Sequence, residues 1–388
     1  MSTKKKRAPK TVFILGAGFS RPRGVPTQDK ILDYICQPGF PNDWFPESRK
    51  ELIQYLENVY GLKGDQLGRL ALEDVYTPLH QAISRGEALK GYRLDQLREI
   101  EETLNQSVSV VINQIRPMER KNGKVMRHDN TYLQSFARKL VYQKRKARTS
   151  DRFAILSLNW DVHLDKELGQ IMRAARAPIP KGWMDYGCHC TAYENNRFLP
   201  PPLLAKERKA YTIKHFKLHG SFHWRLCPQC GTLFVQTDVK NGVTVFLNEL
   251  ECPKCGLVDF KTPIILPTFR KDFSGFHFQH IWNQAGIELS EAARLVFIGY
   301  SFPLADFDFR SLITRHVGSL KIDVVLHDEN RPSFKNAPAL TPAQRKEKRD
   351  ANTEDGNRYL DFFGDKIGHI YYEGVQYWVE HHMDEVLP

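Results

Sequence analysis

No apolar run in the 388-residue chain reaches the ~20 residues that a membrane-crossing helix needs. The first residues, MSTKKKRAPK, are basic, but the apolar stretch behind them, TVFILGAG, is too short and strand-like for a secretory signal. Export and membrane insertion are therefore not expected, and the chain reads as cytoplasmic. No internal repeat is visible. Cysteines are few, seven in all, and four of them form two CxxC pairs. Without an export signal, that spacing argues for metal rather than disulfides.

What is present suits a soluble protein with one large core, or one core and a smaller module. Hydrophobic residues make up 41% and charged residues 26%. The formal net charge is +11. It is either a solvated basic surface or an attraction to polyanions, nucleic acid or a pyrophosphate among them. Basic residues crowd between Arg116 and Arg148, on a helix surface or facing an acidic partner.

Residues 1–10 read as a disordered basic tail. Thr11 to Leu15 is an unbroken apolar run, the mark of a strand buried on both faces, and it breaks at Gly16-Ala17-Gly18. A helix is expected from Thr27 to Gln37. Residues 45–149 read as a mostly helical insertion. Phe153–Leu158 is a second buried strand, 176–210 a long loop, and Thr212–Leu218 an alternating strand. A zinc ribbon is expected over 227–255, then short strands at Pro263–Leu266, Leu295–Gly299, Ile322–Leu326 and His369–Tyr372. Helices are expected at Phe278–Ala293 and Tyr377–Val386, and a mobile loop at 331–357. Buried strands alternating with helices predict an α/β fold, a Rossmann-like parallel sheet assembled from 11–44, 150–226 and 256–388.

Four groups of residues carry chemistry. Gly16-Ala17-Gly18-Phe19-Ser20 follows a strand, where glycines let backbone amides approach a phosphate, although many strand-to-helix turns look alike. Cys227, Cys230, Cys252 and Cys255 have the spacing of a closed tetrahedral site with no open position, structural zinc. Cys188-His189-Cys190 is an accessory metal site or a loop with incidental ligand types. Asn159-Trp160-Asp161 stands at the carboxyl end of a strand, where open sheets bind ligands, or simply caps the next helix. His219, ending the next strand, is a candidate general base, with His215 and His223 as neighbours.

The order of these elements, glycine turn, Asn-x-Asp, Leu-His-Gly and paired CxxC, resembles the sirtuin family. Gly299-Tyr300-Ser301, the HDEN run His327 to Asn330 and Gly374-Val375 resemble the family's contacts to the adenosine half of NAD. The resemblance implies NAD as substrate and structural Zn2+. It implies a pyrophosphate cradle of Gly16, Ala17, Gly18, Phe19 and Ser20. It assigns adenosine-side contacts to Gly299, Ser301, Asp328, Asn330 and Val375. Asn159 and Asp161 would face the nicotinamide ribose, His219 would be the base, and the four cysteines would hold zinc.

The departures are equally informative. Where protein deacylases of the family continue into Ile-Pro-Asp-Phe-Arg, this chain has Val25-Pro26-Thr27-Gln28-Asp29. Where they carry Phe-Gly-Glu after the ribbon, it has Leu266-Pro267-Thr268-Phe269-Arg270-Lys271. The pattern, including Gly299 to Asp306 and Leu72-Glu73-Asp74-Val75, resembles the sirtuin-like NAD-degrading effectors of bacterial antiviral defence. That resemblance implies an NAD+ glycohydrolase (NADase), a homo-oligomer, and a separate HerA-type hexameric ATPase as partner. The alternatives are an NAD-dependent protein deacylase and a nucleic-acid-binding or nucleotide-sensing subunit.

Overall fold

The computed structural model describes residues 9–38, 40, 46–113, 120–121, 124–125, 130–146, 151–173, 182–194, 197–198, 211–236, 251–269, 271–328, 334–335 and 353–387. The tail residues 1–8, Asn330 and most of 331–357 lie outside them. Eight strands make the main sheet: β1 (Thr11–Leu15), β2 (Phe153–Ser157), β3 (Gly182–Asp185), β4 (Tyr211–Lys217), β5 (Arg294–Ile298), β6 (Lys321–Val325), β7 (Phe334–Lys335) and β8 (Ile367–Tyr371). Their order is β7-β8-β6-β5-β1-β2-β4-β3. All neighbouring pairs are parallel except β7 with β8. The fold is a Rossmann-like α/β sheet, as the apolar runs predict.

β1 is buried along its whole length because both its faces are covered. Val12 and Ile14 enter one core with helices Phe276–Glu291, Phe307–His316 and Glu354–Phe363. Phe13 and Leu15 enter the opposite core with helices Thr131–Lys146, His163–Arg173 and Gly374–His381. The two-residue period of a strand divides the side chains between the layers.

The chain leaves β1 and builds β2, β4 and β3 on one side; β5, β6 and β8 lie on the other. The strand order thus reverses at β1, and the crevice beyond its carboxyl end is where such sheets bind ligands.

A third core belongs to the helices Pro46–Tyr60, Leu72–Arg85 and Leu94–Asn113, with Val25, Ile31, Leu32 and Ile35 contributed from the segment after the glycine turn. Thr131–Lys146, which fell inside the expected 45–149 insertion, instead covers the main sheet. Its Leu133, Phe136 and Leu140 stripe is buried against the sheet residues Phe13, Phe153 and Ile155 of the same core.

Three local expectations need correction. Within 176–210, read as a loop, lie edge strand β3 and two further strands, Arg197–Phe198 and Thr191–Glu194, which pair with each other and join a small sheet through Leu233–Gln236, itself paired with Trp224–Leu226. Pro263–Leu266 forms only an isolated bridge, Ile264 to Gly220. The expected helix from Thr27 shortens to a 3-10 turn, Gln28–Lys30, and a helix over Ile31–Cys36. Among the described residues no helix is long and apolar enough to cross a membrane.

Candidate active site and metal centre

A cavity of about 580 Å³ opens at the carboxyl edge of β1, β2 and β5, at the point where strand order reverses. That is within the range of small-molecule sites. Its walls bring together Gly16, Ala17, Gly18, Asn159, Asp161, His219, Gly299, Ser301 and Val375 from the sequence reading. Phe19, Ser20 and Asp328 do not line it. Asn330 lies outside the described residues.

The glycine turn has a packing reason of its own. Gly18 N donates to Gly299 O at 2.7 Å, Gly16 N to Ile298 O at 3.0 Å, and Phe19 N and Ser20 N bond back within the turn. These four amides are engaged by protein carbonyls. The glycines allow two turns to touch. A Cβ on Gly16 would stand 2.5 Å from Tyr300 Cα, and one on Gly299 would stand 2.2 Å from Phe19 N. Gly299 also has φ +61°, a conformation that favours glycine. Phe19 turns its ring into the core against Tyr132 and Phe136. Positive charge at this end of the cavity comes from Arg21 on its wall, a residue the sequence reading did not single out.

β2 ends in the segment that carries Asn159 and Asp161. Asn159 Nδ2 donates to Gly16 O at 2.8 Å, which ties β2's end to the turn and leaves Oδ1 as the amide's acceptor. Asp161 accepts from Ser20 Oγ at 2.9 Å and from His163 N at 3.1 Å. It therefore anchors the glycine turn and starts the following helix in one move. Its own carbonyl receives the buried Lys217 ammonium at 2.5 Å. Lys217 is neutralised by Asp165 at 3.4 Å. Burial raises the Asp165 carboxyl, but Lys217, His215 and His223 outweigh it and hold it well below the usual carboxylate range.

His219 follows β4. Its Nδ1 lies 3.2 Å from Leu158 O. A carbonyl can only accept, so Nδ1 carries the proton and Nε2 is the basic nitrogen. Its main chain is held by Ile265 N, which donates to His219 O at 2.9 Å, and Trp282 Nε1 fixes the preceding Leu218 O at 2.9 Å. Burial lowers the imidazole to about 4; the facing Asp306 carboxylate works against this and the Lys271 ammonium adds to it. At neutral pH His219 is thus an uncharged proton acceptor. Of the alternatives, His223 is buried behind the sheet near Tyr186 and Asp165, and His215 lies beside Asp165; neither lines the cavity.

The remaining wall draws on segments that the resemblance included, Gly299 to Asp306 and Leu72 to Val75, without assigning their side chains to the site. Glu73, from the helical unit, accepts from Gln28 Nε2 at 2.6 Å. Burial raises its carboxyl while Lys271 opposes. Lys271 pairs with Asp306, whose other oxygen accepts from Tyr300 OH at 2.7 Å. Asp306 is delivered by a strained turn. Phe302 is fully buried at φ +52° and is held between Tyr359 and the Arg310 guanidinium, 4.3 Å above its ring. No local pattern announces such residues, because their partners lie on separate loops.

At the ribbon, the four sulfurs of Cys227, Cys230, Cys252 and Cys255 lie within 4.8 Å of one another. Cys227 Sγ is 3.4 Å from Cys255 Sγ, and Cys230 Sγ is 3.5 Å from Cys252 Sγ. A zinc ion with tetrahedral thiolates at ~2.3 Å separates its sulfurs by about 3.8 Å, so the donor set fits zinc. Each CxxC closes identically. Gly231 N donates to Cys227 O and Gly256 N to Cys252 O, with φ +67° and +76° at the two glycines. Cys188 and Cys190 lie half-buried against the sheet's core, and burial raises both thiols. They do not join a metal-ligand group among the described residues.

No family model and no curated protein matches the chain. Among solved structures it is similar to a Sir2 homologue in complex with NAD, at 13% identity over 97% of this chain and 90% of that one, with a TM-score of 0.39. It is also similar to a Sir2–p53 peptide–NAD+ complex, at 12% identity over 97% and 92%, with a TM-score of 0.38. At these scores the likeness carries no functional argument, and the reading below rests on the cavity itself.

Proposed function

We propose that the protein is an NAD+ glycohydrolase that cleaves NAD to nicotinamide and ADP-ribose. One observation carries the reading: a neutral histidine with its basic nitrogen free, and the Asn159 amide, share a cavity at the strand-order reversal of a Rossmann-like sheet. Parts of three motifs that resemble sirtuins, the glycine turn, Asn159 with Asp161, and His219, line this cavity.

In the reaction, the bond from ribose C1′ to the nicotinamide nitrogen breaks and its electron pair neutralises the pyridinium. The leaving group needs no acid. Positive charge develops on the ribose, as in glycoside hydrolysis, and a water oxygen bonds to C1′. His219 Nε2 accepts the water's proton and releases it to solvent. Asn159 Oδ1 accepts from the ribose or that water. Asp161 holds the turn and β2 in register. Gly299, Ser301 and Val375 line the adenosine side, and Arg21 offers charge to the pyrophosphate. Zinc held by the four cysteines secures the ribbon and takes no part in bond breaking.

The wall formed by Pro267, Thr268 and the Lys271–Asp306 pair favours hydrolysis over deacylation. An acyl-lysine chain needs an apolar passage, and charge on that wall opposes it. The resemblance to NAD-degrading effectors extends the proposal to a cytoplasmic, oligomeric enzyme of antiviral defence that assembles with a HerA-type ATPase.

Product analysis tests the reading. NAD is incubated with the protein alone, with the ATPase, and with an acetyl-lysine peptide. Free ADP-ribose in the absence of peptide supports the glycohydrolase; turnover only with peptide, giving the O-acetyl ester, makes it a deacylase. Salt-sensitive DNA binding without turnover would mark a nucleic-acid-binding subunit.

A further inference from the structure

Three charged groups outside the sequence-derived set line the same cavity as His219: Asp306, Lys271 and Glu73. Asp306 is the one built to hold a negative charge there. Tyr300 OH donates to one of its oxygens at 2.7 Å and the Lys271 ammonium pairs with the other. Burial alone would raise this carboxyl, but His219, Lys271 and the Tyr300 hydroxyl more than offset it, so it stays ionised at neutral pH. Its backbone is fixed by the turn through Phe302, a conformation held against strain by the surrounding aromatic cluster. Strain maintained beside a cavity calls for a functional reason.

We propose that Asp306, clamped by Lys271 and Tyr300, is the counter-charge that makes His219 an effective base, a positioning residue acting through the imidazolium formed when His219 takes a proton. Nδ1 of His219 is fixed on a neutral carbonyl, so no carboxylate is hydrogen-bonded behind the ring. The charge that stabilises its protonated form stands across the cavity instead. Lys271 sets the strength of this effect. It secures Asp306, and its own charge disfavours the imidazolium, which keeps His219 deprotonated until a substrate water is in place. Among the described residues the ring also meets the Leu158 carbonyl and the Phe273 ring, 6.5 Å away, neither of which titrates. Glu73 meets Lys271 from the helical unit and further tempers its charge.

The inference rests on the hydrolase reading but has its own readout. The His219 side-chain resonance, identified by its loss in His219→Gln, is titrated in the wild-type protein, Lys271→Met, Asp306→Asn and Asp306→Glu. The pH dependence of kcat/KM for nicotinamide release is measured beside it. Lys271→Met should raise the midpoint by roughly one unit. Asp306→Asn should lower it, so that the resonance stays neutral down to acid unfolding, and should cut kcat by roughly tenfold or more with a smaller change in KM. Asp306→Glu should restore the charge and the profile. Unmoved midpoints in both Lys271→Met and Asp306→Asn overturn the proposal, as does Asp306→Asn behaving like Asp306→Glu. Shifted midpoints in an enzyme that never releases nicotinamide uphold the pairing and overturn only the hydrolase reading.

Discussion

Replacing Gly299 with alanine tests whether the cavity floor is formed by two turns in backbone contact. The added methyl would meet Phe19 N at 2.2 Å, Gly18 C at 2.3 Å and Gly18 Cα at 2.8 Å. All three are backbone atoms, so no side chain can swing aside. The left-handed φ of +61° adds about 1–2 kcal/mol for any residue with a Cβ. Overpacking against a rigid neighbour adds about 1–3 kcal/mol. Gly299→Ala should therefore lose about 3 kcal/mol or more in urea unfolding, and the displaced turn should weaken NAD binding. Gly86 is the control. It caps a helix at φ +70° with nothing within 4 Å of its would-be Cβ, so Gly86→Ala carries the conformational cost alone, about 1–2 kcal/mol. The account fails if the two variants unfold alike, because the contact between Gly299 and the glycine turn would then contribute nothing.

Other consequences follow from the buried charges and the ribbon. His163 and His219 are lowered to about 4 and His223 to about 3, chiefly by burial. A folded-state value below the unfolded one gives stability that is present above about 6.5 and lost as pH falls towards 4, so each should contribute roughly 2 kcal/mol of destabilisation at pH 5. Asp165 is also lowered, but its contribution is lost only below the unfolded carboxylate value of about 4 and cannot offset this window. Melting temperatures that stay level from pH 7 to pH 5 would contradict the burial of these rings. Lys217→Met should destabilise the fold by about 3–5 kcal/mol, since it strands the Asp165 carboxylate, while Lys217→Met with Asp165→Asn should recover much of the loss in a double-mutant cycle. Chelation of zinc, or Cys252→Ser, should unfold the ribbon without abolishing the main sheet's circular dichroism, and a metal assay of the purified protein should find about one zinc per chain.

The sequence made the centre of the fold legible because β1, β2, β5 and β6 are apolar on both faces, and only a covered parallel sheet explains such runs. It placed Asn159 and His219 at strand ends for the same reason. The edge was not legible. GWMD at β3 is short, has no alternation, and is strand only because Tyr211–Lys217 offers it a ladder. The Thr131–Lys146 helix shows an amphipathic stripe, but nothing in a stripe says whether it meets helices or a sheet. Lys271, Asp306 and Glu73 lie in segments that the resemblance and its departures include, but their grouping was not legible, since it depends on partners on other segments. The glycine turn was legible as special, but its packing role was not: its missing side chains give Tyr300 and Gly299 room.

The most direct test of the central claim compares nicotinamide release from NAD by the wild-type protein, His219→Gln and Asn159→Ala, with folding of each variant checked by its melting curve. The account predicts that both folded variants lose activity by at least ~10² while free ADP-ribose accumulates with the wild type. Nicotinamide release that persists at the wild-type rate in folded His219→Gln would contradict it, because the base assigned to the reaction would then have no part in it.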